Sequence, residues 1–276
     1  MVLRFGFSDR SQKTVTSILP ILKNQPISTM KNILSISVLC SISMLFSQTP
    51  TTKINGVTIK KQHEVDTVQV SINSTYFLLG TLNDYINHHY ASKKNQFDRY
   101  YDFEKPLMKY VDSIAKKDFN ITLMEDKNVF FSEELSNEMN AFYAGTSLDE
   151  QQFKSIEKKL SFLLGVYYRN GEKINEQIYK IQLANSPKHK TVCAFLNELN
   201  CPKIFFKRLD NIPTIYQIYF QPTEIMKKYF ATIETEKEKL FNSQLDSFSS
   251  LKISKADYKK EMERESLEVI KLFEKK

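Results

Sequence analysis

The residues able to do chemistry are few and scattered. Cys193 and Cys201 lie close together in the chain. In an exported protein an even cysteine count favours a disulfide, and this pair is the expected bridge. Two buried thiols are the alternative. A zinc site there needs two further ligands, and only His189 is near. Asp84 and His88 are four apart, so on a helix they share a face, with His89 beside them. They are weak metal candidates, because a third ligand must come from elsewhere. A polar helix end, where His suits the negative end of the dipole, is the simpler reading.

Carboxylates recur as Glu133/Glu134, Asp149/Glu150 and the run Glu261, Glu263, Glu265 and Glu268. Interleaved with lysines on helices, they read as solvated faces. The stretch Lys203-Ile-Phe-Phe-Lys-Arg208 mixes cations with aromatics. That mixture suits a nucleic-acid platform. It suits equally a strand with one buried face, which is the reading preferred here. GxSxG, HExxH, Walker and GxGxxG motifs are all missing from the sequence, so it assigns no catalytic residue and no cofactor.

The N-terminus carries the strongest pattern. Met30 and Lys31 precede an uncharged run, Ile33 to Phe46, which closes on Ser47 and Gln48. A charged start, an apolar middle and a small residue at the cut form a secretory signal. As a helix the run spans about 21 Å, short of the roughly 30 Å of a hydrocarbon core. It therefore reads as a cleaved leader, cut between Ser47 and Gln48, rather than an anchor. Its Phe-Ser-Gln ending resembles bacterial export leaders. Residues 1–29 are then an upstream extension, 30–47 the signal peptide, and 48–276 a single exported domain.

Removing 1–47 takes away five basic residues and one acid. The remainder holds 34 basic and 31 acidic residues, a net charge of +3 against +7 for the whole chain of 276 residues. With most of the basic excess gone, the electrostatic case for a nucleic-acid partner weakens.

The elements that position these residues follow from pattern. Asn55-Gly56 between β-formers marks a hairpin, and Val68, Val70 and Ile72 alternate like a strand. Tyr76 to Tyr90 and Phe97 to Ile114 carry helical periodicity, with Pro106 opening the second half of the latter. Ser132 precedes Glu133 and Glu134 as an N-cap should, and Gly145 ends that helix. Ser147 and Glu150 form a capping box for the next helix, which carries Phe153, Leu160, Leu164 and Tyr167. Asn170-Gly171 closes it, the glycine supplying a left-handed turn.

Residues 178–183, 203–209 and 214–220 read as strands, and 191–199 as a short helix. A long helix follows Pro222-Thr223, and a last one starts near Ser254. No internal repeat at a fixed period is evident. The expected fold is α+β and predominantly helical, with a small antiparallel sheet and a C-terminal antiparallel helical hairpin.

These observations lead to an exported envelope or secreted protein acting by binding. Its expected partner is a protein, a peptide or a cell-wall ligand, with no nucleic acid. Membrane contact is expected only through the signal peptide before cleavage. The alternative is an exported hydrolase, a peptidase or glycosidase.

Overall fold

In a computed structural model, residues 19–20, 70–83, 95–249 and 254–275 are described. The expected leader with its Ser47–Gln48 cut, the Asn55-Gly56 hairpin, and Asp84, His88 and His89 lie outside those residues. The fold is α+β, mostly helical, with small antiparallel sheets.

In chain order, β1 is Leu19–Pro20 and α1 is Ser74–Thr81. Then come β2 (Gln96–Arg99), α2 (Lys105–Phe119), β3 (Met124–Asp126), β4 (Val129–Phe131) and α3 (Glu133–Asn140). A two-residue hairpin, β5 (Tyr143–Ala144) and β6 (Ser147–Leu148), leads to α4 (Ile156–Asn170). Next are β7 (Gly171–Lys173), β8 (Tyr179–Ala184), α5 (Lys188–Glu198), β9 (Ile204–Leu209) and β10 (Ile215–Phe220). The chain closes with α6 (Glu224–Ala231), α7 (Glu234–Ser247) and α8 (Lys255–Glu274).

Local chemistry sets the helix boundaries. The Ser132 side chain accepts from Leu135 N and starts α3, and Pro106 sits in the first turn of α2. Asn120, in the left-handed region, stops α2. Three expectations at the middle helix need correction. Ser155, not Ser147, caps α4, its hydroxyl accepting from Lys158 N, while Ser147 lies in β6. The positive φ of Gly145 serves the β5–β6 turn, because α3 has already ended at Asn140. Gly171 is extended, at φ −96° and ψ 165°, and not left-handed. Glycine is needed there for space, since a Cβ would come within 2.2 Å of the Tyr167 ring.

Helices α1 and α4 form the centre. Tyr76 to Thr81 and Leu160 to Tyr168 are buried without a break. A helix apolar on every side belongs inside a core. Its aromatic packing includes Phe162 edge-on to Phe195 and Tyr167 stacked on Phe230 at 4.4 Å. Around this pair the chain repeats itself. After α4 come β7, β8, α5, β9, β10 and α6, with strand order β9-β10-β8-β7, all antiparallel. After α1 come β2, α2, β3, β4 and α3, with strand order β2-β4-β3, also antiparallel. The larger sheet is extended at the β9 edge by β1, Leu19 opposite Phe206.

This repeat is one of elements, not of a fixed sequence period. Its sequence trace is the tetrapeptide Phe-Leu-Leu-Gly, at 77–80 and again at 162–165. The two copies are too short, and the sequence between them too divergent, to register as a period.

The C-terminal helices meet at their turn, where Phe248 lies edge-on to Tyr258. From there α8 runs over the outer face of the larger sheet. Val269 and Phe273 are buried there against Ile178 and Tyr219, in an apolar cluster separate from the main core.

Candidate functional site

The central helix pair fixes everything around it. A Cβ on Gly80 would stand 2.2 Å from the Phe162 carbonyl oxygen, and one on Gly165 would stand 2.1 Å from the Phe77 carbonyl oxygen. Each glycine thus faces the residue three positions before the other. This reciprocity gives the two repeats an approximate two-fold relation.

The C-terminal ends of both helices would leave carbonyl groups bare in the core. Buried cations fill that need. Lys188 Nζ donates to the carbonyls of Leu79, Gly80 and Leu82, at 3.3, 3.1 and 2.7 Å. Lys237 Nζ donates to Tyr168 O at 3.0 Å. Arg169 is 3% exposed and spends all five of its N–H donors. Nε and Nη2 clamp the Glu104 carboxylate at 2.8 and 2.7 Å. Nη1 reaches Asp98 Oδ2 at 2.6 Å and Thr81 O at 2.8 Å, and Nη2 reaches Arg99 O at 2.8 Å. The Tyr100 ring lies beneath the guanidinium, 4.9 Å away. With every donor used, the cluster reads as a fastener between α4 and the first sheet.

The larger sheet has two unlike faces because side chains alternate along each strand. Ile181, Leu183, Ile218 and Phe220 point into the main core. The opposite face carries, in register, Glu172 beside Lys180, Lys180 beside Tyr219, and Gln182 beside Gln217 beside Lys207. Lys180, Gln217 and Tyr219 are buried there by α8.

Glu265 of α8 sits over this row. Its carboxylate accepts from Lys180 Nζ at 2.8 Å, from Gln217 Nε2 at 3.2 Å and from the Tyr219 hydroxyl. Lys180 also pairs with Glu172 at 3.4 Å. Burial pushes the Glu265 carboxyl up. The Lys180 charge and hydrogen bond, the Tyr219 hydroxyl and the nearby Lys207 outweigh it and hold it below its ordinary value. Burial and the adjoining Glu265 push the Tyr219 phenol well up, so it remains a donor. The face is therefore an anion acceptor, with three neutral or cationic donors converging on one carboxylate.

The expected site residues divide as follows. Cys193 and Cys201 are free thiols, which corrects the expected disulfide. Cys193 lies within α5, and the Cys201 thiol is directed at Met226 Sδ, 3.4 Å away. Burial pushes both thiols up to about 12, so neither is a ready nucleophile. His189 stacks on Tyr216 at 3.8 Å and bonds Ser186 O, far from a metal role. Glu133 and Glu134 are exposed, as are Glu150, Glu263 and Glu268. Among the described residues no group of three or more His, Cys, Asp or Glu side chains could hold a metal ion. Of the stretch Lys203 to Arg208, Lys203 precedes β9 and the rest lies in it, with Phe206 beside the main core and Phe205 edge-on to Phe273 at 4.7 Å.

The sequence pointed to none of Lys180, Gln182, Gln217 or Tyr219. The signal available was strand composition. Tyr179 to Ala184 and Ile215 to Phe220 alternate apolar residues with Lys, Gln and Tyr rather than with the Ser and Thr of a merely solvated face.

No protein family matches the sequence, and no curated protein does. Among solved structures, the chain is similar to I-DmoI in complex with DNA and Mn, at 12% identity and a TM-score of 0.38, over 59% of this chain and 96% of that one. It is similar also to mesophilic variants of the homing endonuclease I-DmoI, at 16% identity and a TM-score of 0.36, over 58% and 94%. The expectation of an exported, non-catalytic binder with a signal peptide, a periplasmic or secreted location and no nucleic-acid partner is not carried further, nor is its peptidase or glycosidase alternative.

Proposed function

We propose that this chain is a nucleic-acid-binding protein whose larger sheet offers its outer face to a duplex. The observation that carries the reading is the convergence of Lys180, Gln217 and Tyr219 on a single carboxylate, in register with Gln182 and Lys207. Donors that hold a half-buried carboxylate are suited to a phosphate oxygen. Lys and Gln on a strand face also have the hydrogen-bonding groups that meet base edges when a sheet enters a groove. A fold with an approximate two-fold axis suits a ligand with two equivalent strands. The smaller sheet differs, since its β3 edge is the exposed Met124-Glu125-Asp126. The larger sheet is accordingly the binding half of this reading.

The test uses the full chain and a fluorescein-labelled duplex of about 30 base pairs, read by anisotropy at 50 and 200 mM salt. Affinity should fall steeply with salt. Lys180→Glu with Lys207→Glu should weaken it at least about tenfold. Lys109→Glu, on α2, should leave it unchanged. No binding at low salt, or equal loss from all three changes, overturns the reading.

A further inference from the structure

The geometry points to α8 as a removable cover that occupies the nucleic-acid face of the larger sheet, with Glu265 standing where a phosphate would bind. This inference rests on the reading above and adds its regulation. Three observations carry it.

The first is the chemistry of the seat. Lys180, Gln217 and Tyr219 all donate to Glu265, while Lys180 also pairs with Glu172 and Gln217 Nε2 also donates to Gln182 Oε1 at 2.9 Å. A carboxylate and a phosphate compete for the same donors, so bound helix and bound polyanion exclude each other. The second is the smallness of the apolar contact. Of the helix residues Lys255–Glu274, only Val269 and Phe273 are buried, and they belong to a cluster apart from the main core. The helix pair packs within the main core, to which α8 contributes no buried residue. The third is the fastening at the far end. Lys203 Nζ donates to Phe273 O at 2.6 Å and Lys275 O at 3.3 Å. Lys203 directly precedes β9, so the cover is held by another cation at the edge of the same sheet and would free it on leaving.

A cover held this way opens before the core does. A ligand that binds only the uncovered face shifts the population toward the open form.

The experiment is hydrogen exchange on the full chain, read peptide by peptide, with and without the same duplex. The wild type is compared with a Glu265→Lys, Phe273→Ala variant. In the free wild type, α8 amides should exchange faster than those of α1 and α4, and added duplex should speed α8 alone. The variant should exchange faster still in α8, keep α1 and α4 protected, and bind duplex at least about tenfold more tightly. Protection of α8 equal to that of α4 overturns the cover. So does a variant with an intact core and unchanged or weaker affinity. If α8 opens readily but neither protein binds duplex, the nucleic-acid reading itself is overturned.

Discussion

Gly80 and Gly165 hold α1 and α4 at a distance that admits no side chain at either position. The Cβ of an alanine would fall 2.2 Å from Phe162 O in one case and 2.1 Å from Phe77 O in the other. Both obstacles are backbone, so neither can swing aside. Gly80→Ala or Gly165→Ala should each cost at least about 3 kcal/mol, despite alanine's better helix propensity. Urea unfolding checks this. A cost under about 1 kcal/mol would mean that the helices can slide apart.

Arg169 makes a second, independent test of the same junction. Removing it leaves Asp98 and Glu104, 1% and 4% exposed, without their cation. Arg169→Met should therefore cost about 3–5 kcal/mol. Arg169→Lys should recover little, because one ammonium cannot clamp Glu104 at two points and still reach Asp98, Thr81 O and Arg99 O. Recovery of most of the loss by lysine would show that charge, not the fork, matters there.

Much of the fold was legible from pattern. Strands at 203–209 and 214–220 show in their composition, the second rich in β-branched and aromatic residues, and Ser132 declares a helix start by its own hydroxyl. What was hidden depends on contacts between distant segments. Gly80 and Gly165 look like ordinary helix glycines until the two helices are brought together. Ser147-x-x-Glu150 has the composition of a capping box, yet Leu148 is buried in a hairpin, which decides the matter. Lys180 and Gln217 carry no signal in their own strands, because the helix that buries them lies far along the chain. The cysteine pairing failed because proximity in sequence says nothing of direction on a helix.

The thiols give a simple chemical check. With Cys193 and Cys201 half-buried and both raised to about 12, a thiol reagent at pH 8 should react slowly with the native chain and quickly in denaturant. The intact mass should show no loss of two hydrogens between these residues. A fast native reaction would place at least one sulfur at the surface.

Lys237 predicts a distinctive pH response. Burial lowers its ammonium to about 8, against an opposing pull from Glu172 and Glu234. A lysine lowered on folding binds fewer protons in the native state than in the unfolded one between pH 8 and its ordinary 10.5. Stability from this group therefore rises with pH across that window, and below it the buried charge is a cost. Lys237 is partly buried, so after solvent screening the span is on the order of 2 kcal/mol. Against Lys237→Met, which has no such group, the wild type should gain stability between pH 8 and 10. Parallel curves would remove Lys237 from the account.

The Glu265 contact should fail on the acid side. Its carboxyl is held below the ordinary 4.5, because Lys180, Tyr219 and Lys207 outweigh the opposite effect of burial. A lowered acid contributes stability in full above its unfolded value and loses it as pH falls through the folded one. Glu172 also pairs with Lys180, so it must be removed from the comparison. Exchange of α8 amides in Glu172→Gln should accelerate, relative to those of α4, as pH falls below the ordinary carboxyl value of 4.5. The same step should vanish in a Glu172→Gln, Glu265→Gln double variant, whose amide keeps the shape of the contact without its charge. Persistence of the step in the double variant would assign acid release of α8 to some group other than Glu265. The ion pair with Lys180 would then be incidental to how the helix is held.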